Sequence, residues 1–149
     1  MTITEYSALT DAELDALSAE AMGWHITCHD RLYDPLTDSD RIGGEAWTNS
    51  RGWVTARLDA FHPTTDLNHA AEIEAKARER SGAQFSLHSP HDDEERWCAL
   101  FWMLPRRVEA FADTAARAIV IAALAVLESR TNAMGISHMT IKVALPFVN

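Results

Sequence analysis

Cysteine, glycine and proline are all scarce in this chain. Two cysteines in 149 residues, Cys28 and Cys98, exclude a scaffold stapled by disulfides. Six glycines and five prolines exclude a collagen-like or low-complexity chain. Long apolar runs are missing as well. The longest, Ala118 to Leu127, has ten residues, whereas a membrane-spanning helix needs about 20. It reads instead as a helix of a protein core. The opening Met1-Thr2-Ile3-Thr4-Glu5 has neither a basic nor an apolar region, so no secretory signal is expected. Both thiols are then expected to be reduced, in a cytoplasmic setting. Basic charge is short too: 13 Lys and Arg face 22 Asp and Glu, for a net charge of −9. That balance argues against binding nucleic acid through its phosphates and against docking on an anionic membrane.

What remains is the composition of a globular domain, 47% hydrophobic and 23% charged. We expect one domain over 1–132 and an extension or arm over 133–149. Thr10 and Glu13 have capping-box spacing, and Leu14, Leu17 and Ala21 recur at helical steps. They predict a helix from Asp11 to Met22, stopped by Gly23. Trp24–Cys28, Glu45–Thr48 and Trp53–Leu58 have strand character, with hairpin-turn residues Asn49-Ser50-Arg51-Gly52 between the last two. Residues 30–44 are rich in Asp, Gly and other turn formers and read as a loop.

A second helix is expected from Thr65 or Asp66 to Arg80, with Leu67, Ala70, Ile73 and Ala77 buried and Gly82 as its stop. Phe85 and Leu87 alternate in a short strand. Arg96–Leu104 is almost wholly apolar, which predicts a central strand covered on both faces. A third helix, from Asp113 or Thr114 to Arg130, should be largely buried. Thr140–Leu145 alternates and is read as an edge strand or arm. The expected fold is α+β: one small antiparallel sheet packed with three helices, in the order α-β-β-β-α-β-β-α.

Several of these pieces resemble the phage ABA sandwich domain family. They are Met22-Gly23-Trp24, the run Phe61-His62-Pro63-Thr64-Thr65-Asp66-Leu67-Asn68, the strand from Trp97 to Trp102, and the Ala-rich helix from Asp113 to Leu127. The resemblance covers roughly residues 10–130. It implies a small antiparallel sheet packed with helices, and a phage or prophage accessory role inside a host cell. It implies no catalytic residues. The acidic segment 30–44 and the tail after Asn132 depart from the family pattern.

Candidate chemistry is sparse. His25, Cys28 and His29 are zinc-type ligands, and His88 and His91 are the available second half. On a strand, however, His25 and Cys28 point to opposite faces. Asp92-Asp93-Glu94-Glu95 lacks calcium-loop spacing. Cys98 lies in the most apolar segment, where burial disfavours a reactive thiolate. No catalytic group, metal or other cofactor is implied.

Charge and aromatics say more. Residues 1–50 hold ten acidic and two basic residues, net −8, while residues 96–149 have three acidic and six basic residues, net +3. The expected partner surface combines Asp30, Asp34, Asp38, Asp40 and Glu45 with the adjacent Trp47 and Trp53. The expected function is a non-enzymatic phage protein that binds and inhibits a host protein with a basic surface, such as a CRISPR component. No nucleic acid or membrane is contacted directly, and a homodimer is allowed. One alternative is a binder of a signalling nucleotide, with Trp47 or Trp53 stacking and Arg51 or Arg57 holding phosphate. The other is a metal-dependent hydrolase built on the His and Cys cluster.

Overall fold

A computed structural model describes residues 1–34, 39–90 and 95–135, and the side chains of these except 30–34, 39–43 and 129–135. The fold is α+β. In chain order the elements are α1 (Ile3–Ser7), α2 (Asp11–Ala21), β1 (His25–Asp34), β2 (Ser39–Thr48), β3 (Val54–Arg57), α3 (Leu67–Ser81), β4 (Gln84–His88), β5 (Trp97–Met103), β6 (Arg106–Ala112) and α4 (Ala115–Gly135). The described residues form two antiparallel sheets, ordered β1-β2-β3 and β4-β5-β6. The single sheet expected from the sequence is therefore divided. Helix α1 and strand β6 are additions to the expected order. α4 continues through residues 133–135, and the predicted strand Thr140–Leu145 lies outside the described residues.

The central position of the apolar Arg96–Leu104 segment holds: β5 pairs with β4 on one side and β6 on the other. Its two faces are covered unequally, however. Ala99 and Phe101 enter the main core, whereas Cys98, Leu100 and Trp102 belong to no core cluster. On that second face Cys98 is buried, whereas Leu100 and Trp102 are half-buried.

α4 explains the main core. It is apolar all round, and every residue from Ala118 to Leu127 is buried. A helix of that kind must be surrounded. Strands β5 and β6 lie against it, and so do α3, α2 and α1. The small alanines let these neighbours approach closely.

The helix ends follow the sequence. Thr10 and Glu13 form the expected capping box on α2, and Thr2 and Glu5 repeat it on α1. Asp66 caps α3, and Gly82 ends it at φ 72°, a conformation that costs glycine little. Ala70, Ile73 and Ala77 are fully buried as predicted, but Leu67 is 56% exposed. It is the first residue of α3, ahead of the stretch whose buried residues join the α4 core.

α2 serves two cores. Leu14 is buried in the main one, with Leu17 and Ala21 against it. Ala19, beside Ala16, packs in a second core with Trp47, Phe61, Trp24 and Ala56. That smaller core attaches the β1-β2-β3 sheet to the rest of the molecule.

Buried Tyr6 joins α1 to α4 by donating its hydroxyl to the Glu128 carboxylate, which also receives the Met1 amino group. Burial, the Glu128 hydrogen bond and the Glu128 charge hold the phenol far above its ordinary pKa. The folded protein therefore keeps the neutral phenol, while the unfolded chain ionises it near pH 10. This contribution to stability is complete below about pH 10 and declines above it. Tyr6→Phe is expected to melt lower at neutral pH and to lose less stability on the alkaline side. Thermal melts of both proteins across that range measure the difference.

Candidate functional site

The β1-β2-β3 sheet holds most of the residues that the sequence singled out. Its first hairpin is long: β1 and β2 stay in register from His25 opposite Thr48 to Asp34 opposite Ser39. The segment 30–44, expected to be a loop, is thus largely strand. Its turn-forming composition yields to backbone pairing along a preformed hairpin, since strand preference depends on context. The side chains of Asp30, Asp34 and Asp40, and the whole of Asp38, lie outside the described residues. Glu45 is exposed, opposite Cys28, which is exposed too.

The two tryptophans separate. Trp47 is only 6% exposed, covered by Ala19 and Phe61. It is a core residue and no surface anchor, which corrects its assignment to the partner surface. Trp53 is 63% exposed. It ends the turn that joins β2 to β3, and that turn is closely fixed. Asn49 Oδ1 accepts hydrogen bonds from the Arg51 and Trp53 N–H groups, at 2.9 and 3.0 Å. The Asn49 N–H donates to the Trp53 carbonyl at 2.9 Å. Gly52, at φ 82°, allows the chain to close. The Arg51 guanidinium sits over the Trp53 ring, 5.6 Å from its centre.

A register shift between Trp47 and Thr48 sets Val54 opposite Thr48 and Ala56 opposite Trp47. Val54 and Ala56, which an unbroken alternation would put on one face, are split by that bulge. Val54 stays exposed beside Trp53. Periodicity alone gives no sign of such a bulge.

Behind the sheet, the segment from Asp59 to Asp66 is tied to α2 and α3. Asp15 Oδ1 accepts from the Thr64 N–H at 2.9 Å and from its hydroxyl at 2.8 Å. His62 donates from Nε2 to the Asp59 carbonyl at 2.6 Å, with Nδ1 3.5 Å from Asp15 Oδ2. The His62 N–H donates to His69 Nδ1. This Asp–His pair is directed at a backbone carbonyl and orients the loop. The sequence gives no sign of it, because Asp15 and Thr64 are 49 positions apart.

The metal-type residues do not converge. His29 is bonded to Thr27 and Thr48, at 2.8 and 3.0 Å, within the first sheet. His88 is bonded to Ser86 in the second. His91 and the residues Asp92, Asp93 and Glu94 lie outside the described residues. Among the described residues, no three His, Cys, Asp or Glu side chains are placed to hold a metal ion. Cys98 is buried and Cys28 exposed. Arg57, a candidate phosphate ligand, is engaged by both carboxylate oxygens of Asp59, at 3.1 and 2.8 Å. Nothing in this arrangement points to enzymatic activity. No helix of the described residues is long and apolar enough to cross a membrane.

Comparison with family models, with curated proteins and with solved structures finds no match to this chain.

Proposed function

We propose that the protein is a non-enzymatic binding protein that engages a partner protein through the Trp53 end of the β1-β2-β3 sheet. The observation that carries this reading is an exposed tryptophan on a fixed turn. Trp53 is 63% exposed, yet its backbone is held by two hydrogen bonds from and to Asn49, and a third ties the Arg51 N–H to the same Asn49 side chain. An aromatic fixed in advance loses little entropy on docking, which is the property of an interface anchor. Exposed Val54 widens the apolar contact, and Arg51 adds a planar donor group.

Charge suggests the partner. The N-terminal third is strongly acidic and includes the hairpin leading to this turn. A basic surface, such as that of a nucleic-acid-handling protein, complements it. The resemblance to phage accessory domains supplies the setting: inhibition of a host protein, in the host cytoplasm, with a CRISPR component as one candidate. For the nucleotide-binding alternative, Trp47 is buried and Arg57 is held by Asp59, which leaves Trp53 and Arg51 as its stacking and phosphate groups.

The test is capture of host proteins on the immobilised chain, followed by association kinetics at two salt concentrations. Trp53→Ala is expected to weaken binding about 30-fold, the effect of losing a ~2 kcal/mol hot spot. Replacing Asp34, Asp38 and Asp40 together by Asn is expected to slow association and flatten its salt dependence. Wild-type kinetics in both variants would remove this surface from the proposal.

A further inference from the structure

We infer that the cavity between α2 and the segment 58–65 is a binding site for a guanidinium group, which Asp15 and His62 hold over a floor of Trp47 and Phe61. The site is separate from the Trp53 turn, and it stands whether or not that turn binds a partner.

The cavity measures about 450 Å³, within the range of small-ligand sites. Ala12, Asp15 and Ala16 line it from one face of α2, and the two alanine methyls leave its space open. Trp47 and Phe61, both buried, form its inner side, and exposed Leu58 lies at its rim. Its polar groups are few. Asp11 is paired with Arg117 at 2.5 Å. The Thr65 hydroxyl donates to the His62 carbonyl at 3.4 Å. Recognition therefore falls to Asp15 and His62. Among the described residues that line the cavity there is no Lys or Arg to oppose a cation.

Hydrogen bonds fix what these two groups can do. Asp15 Oδ1 is taken by the Thr64 N–H and hydroxyl, which leaves Oδ2. His62 Nε2 lies 2.6 Å from the Asp59 carbonyl, which can only accept, so Nε2 carries a proton. In the neutral ring Nδ1 then holds a lone pair, and it lies 3.5 Å from Asp15 Oδ2. Two acceptors thus face each other, one of them charged, and their common complement is a cation that bears N–H groups. The Asp15 side chain is only 13% exposed, and partial removal from water strengthens its pull on such a cation. A guanidinium fits better than an ammonium. Its N–H groups diverge in one plane and serve both acceptors. It is less strongly hydrated, so it enters a half-apolar cavity at lower cost. Its flat face stacks on aromatic rings, which Trp47 and Phe61 supply. A free guanidino compound and an arginine side chain of a protein share this chemistry, and the test separates them.

N-acetyl-arginine methylamide is the probe, added at millimolar concentration and followed through the amide NMR signals of the full chain. Saturable shifts at Ala12, Ala16 and His62 are expected, and N-acetyl-lysine methylamide is expected to bind about tenfold more weakly. Asp15→Asn keeps Oδ1 for Thr64 and turns an N–H towards His62 Nδ1. It is expected to retain a cooperative melt and to weaken the probe about tenfold or more. Ala12→Leu, at an exposed position, fills the cavity and is expected to abolish the shifts. That variant keeps the test decisive where Asp15→Asn fails to fold. Trp53→Ala is expected to bind the probe as the wild type does, so this site and the Trp53 surface fail separately. Tighter binding of a capped Gly-Arg-Gly peptide than of propylguanidine supports the site as one for a protein's arginine; the reverse order supports it as one for a free compound. The absence of saturable shifts overturns the proposal. So does equal affinity for the lysine probe, or unchanged affinity in Asp15→Asn or Ala12→Leu. A nitrogen NMR spectrum with both His62 ring nitrogens protonated in the ligand-free protein at neutral pH also overturns it, because His62 would then supply the proton that faces Asp15.

Discussion

Leu124→Asp is expected to abolish the cooperative thermal transition. Leu124 is 4% exposed, in a stretch of α4 that is buried from Ala118 to Leu127. A carboxylate there would lose its hydration. No basic residue occurs between Arg117 and Glu128 on that helix, and the cavity that Leu124 lines sets two carboxylates, Glu20 and Glu128, against the single cation Arg80. An unpaired buried charge costs several kcal/mol or more. That is comparable with the whole stability of a small domain, about 5–15 kcal/mol. Leu124→Ala separates charge from volume: it is expected to cost about 2–5 kcal/mol and to leave a cooperative melt at lower temperature. Circular dichroism melts of both variants give the comparison. A normal transition in Leu124→Asp would mean that α4 is not the centre of the core.

The second large effect distinguishes two tryptophans six positions apart. Trp47→Ala is expected to destabilise the protein by about 3–5 kcal/mol, as for other large aromatic truncations in cores. Trp53→Ala is expected to change stability by no more than about 0.5 kcal/mol, as for most surface substitutions. Denaturant titrations would show the contrast directly. Equal losses would place Trp53 within the fold and remove it as an anchor.

That contrast marks where the sequence stops being informative. Both tryptophans sit in strand-like segments beside a turn, and composition treats them alike. Their fates depend on α2 and Phe61, which are distant in sequence and cover only Trp47. Local signals served well where the cause was local. The capping box at Thr10 and Glu13, the Asp66 cap and the Gly82 stop all appear in the structure. The Asn49 turn does so as well, down to its glycine. Pairing signals served less well. Strand β6 went unpredicted because its inward positions are Val108, Ala110 and Ala112, and alanine marks an apolar face weakly. The 30–44 hairpin was hidden by its turn formers, since cross-strand partners are invisible to a local window. Short α1 had a legible cap in Thr2 and Glu5, but five residues carry too little periodicity to be noticed.

The smaller core of Ala19, Trp47 and Phe61 has a kinetic consequence. Among the described residues, that cluster is the hydrophobic core that ties the β1-β2-β3 sheet to α2, whereas α4 is enclosed by five other elements. The two regions should therefore open at different free energies. Amide hydrogens of β2 are then expected to exchange with solvent through a local detachment, long before those in the middle of α4. The molecule would spend part of its time with an intact helical body and a released sheet. Slow exchange in β2 requires Trp47 to remain seated, so any ligand that clamps the sheet against α2 would be detected first as protection at those amides.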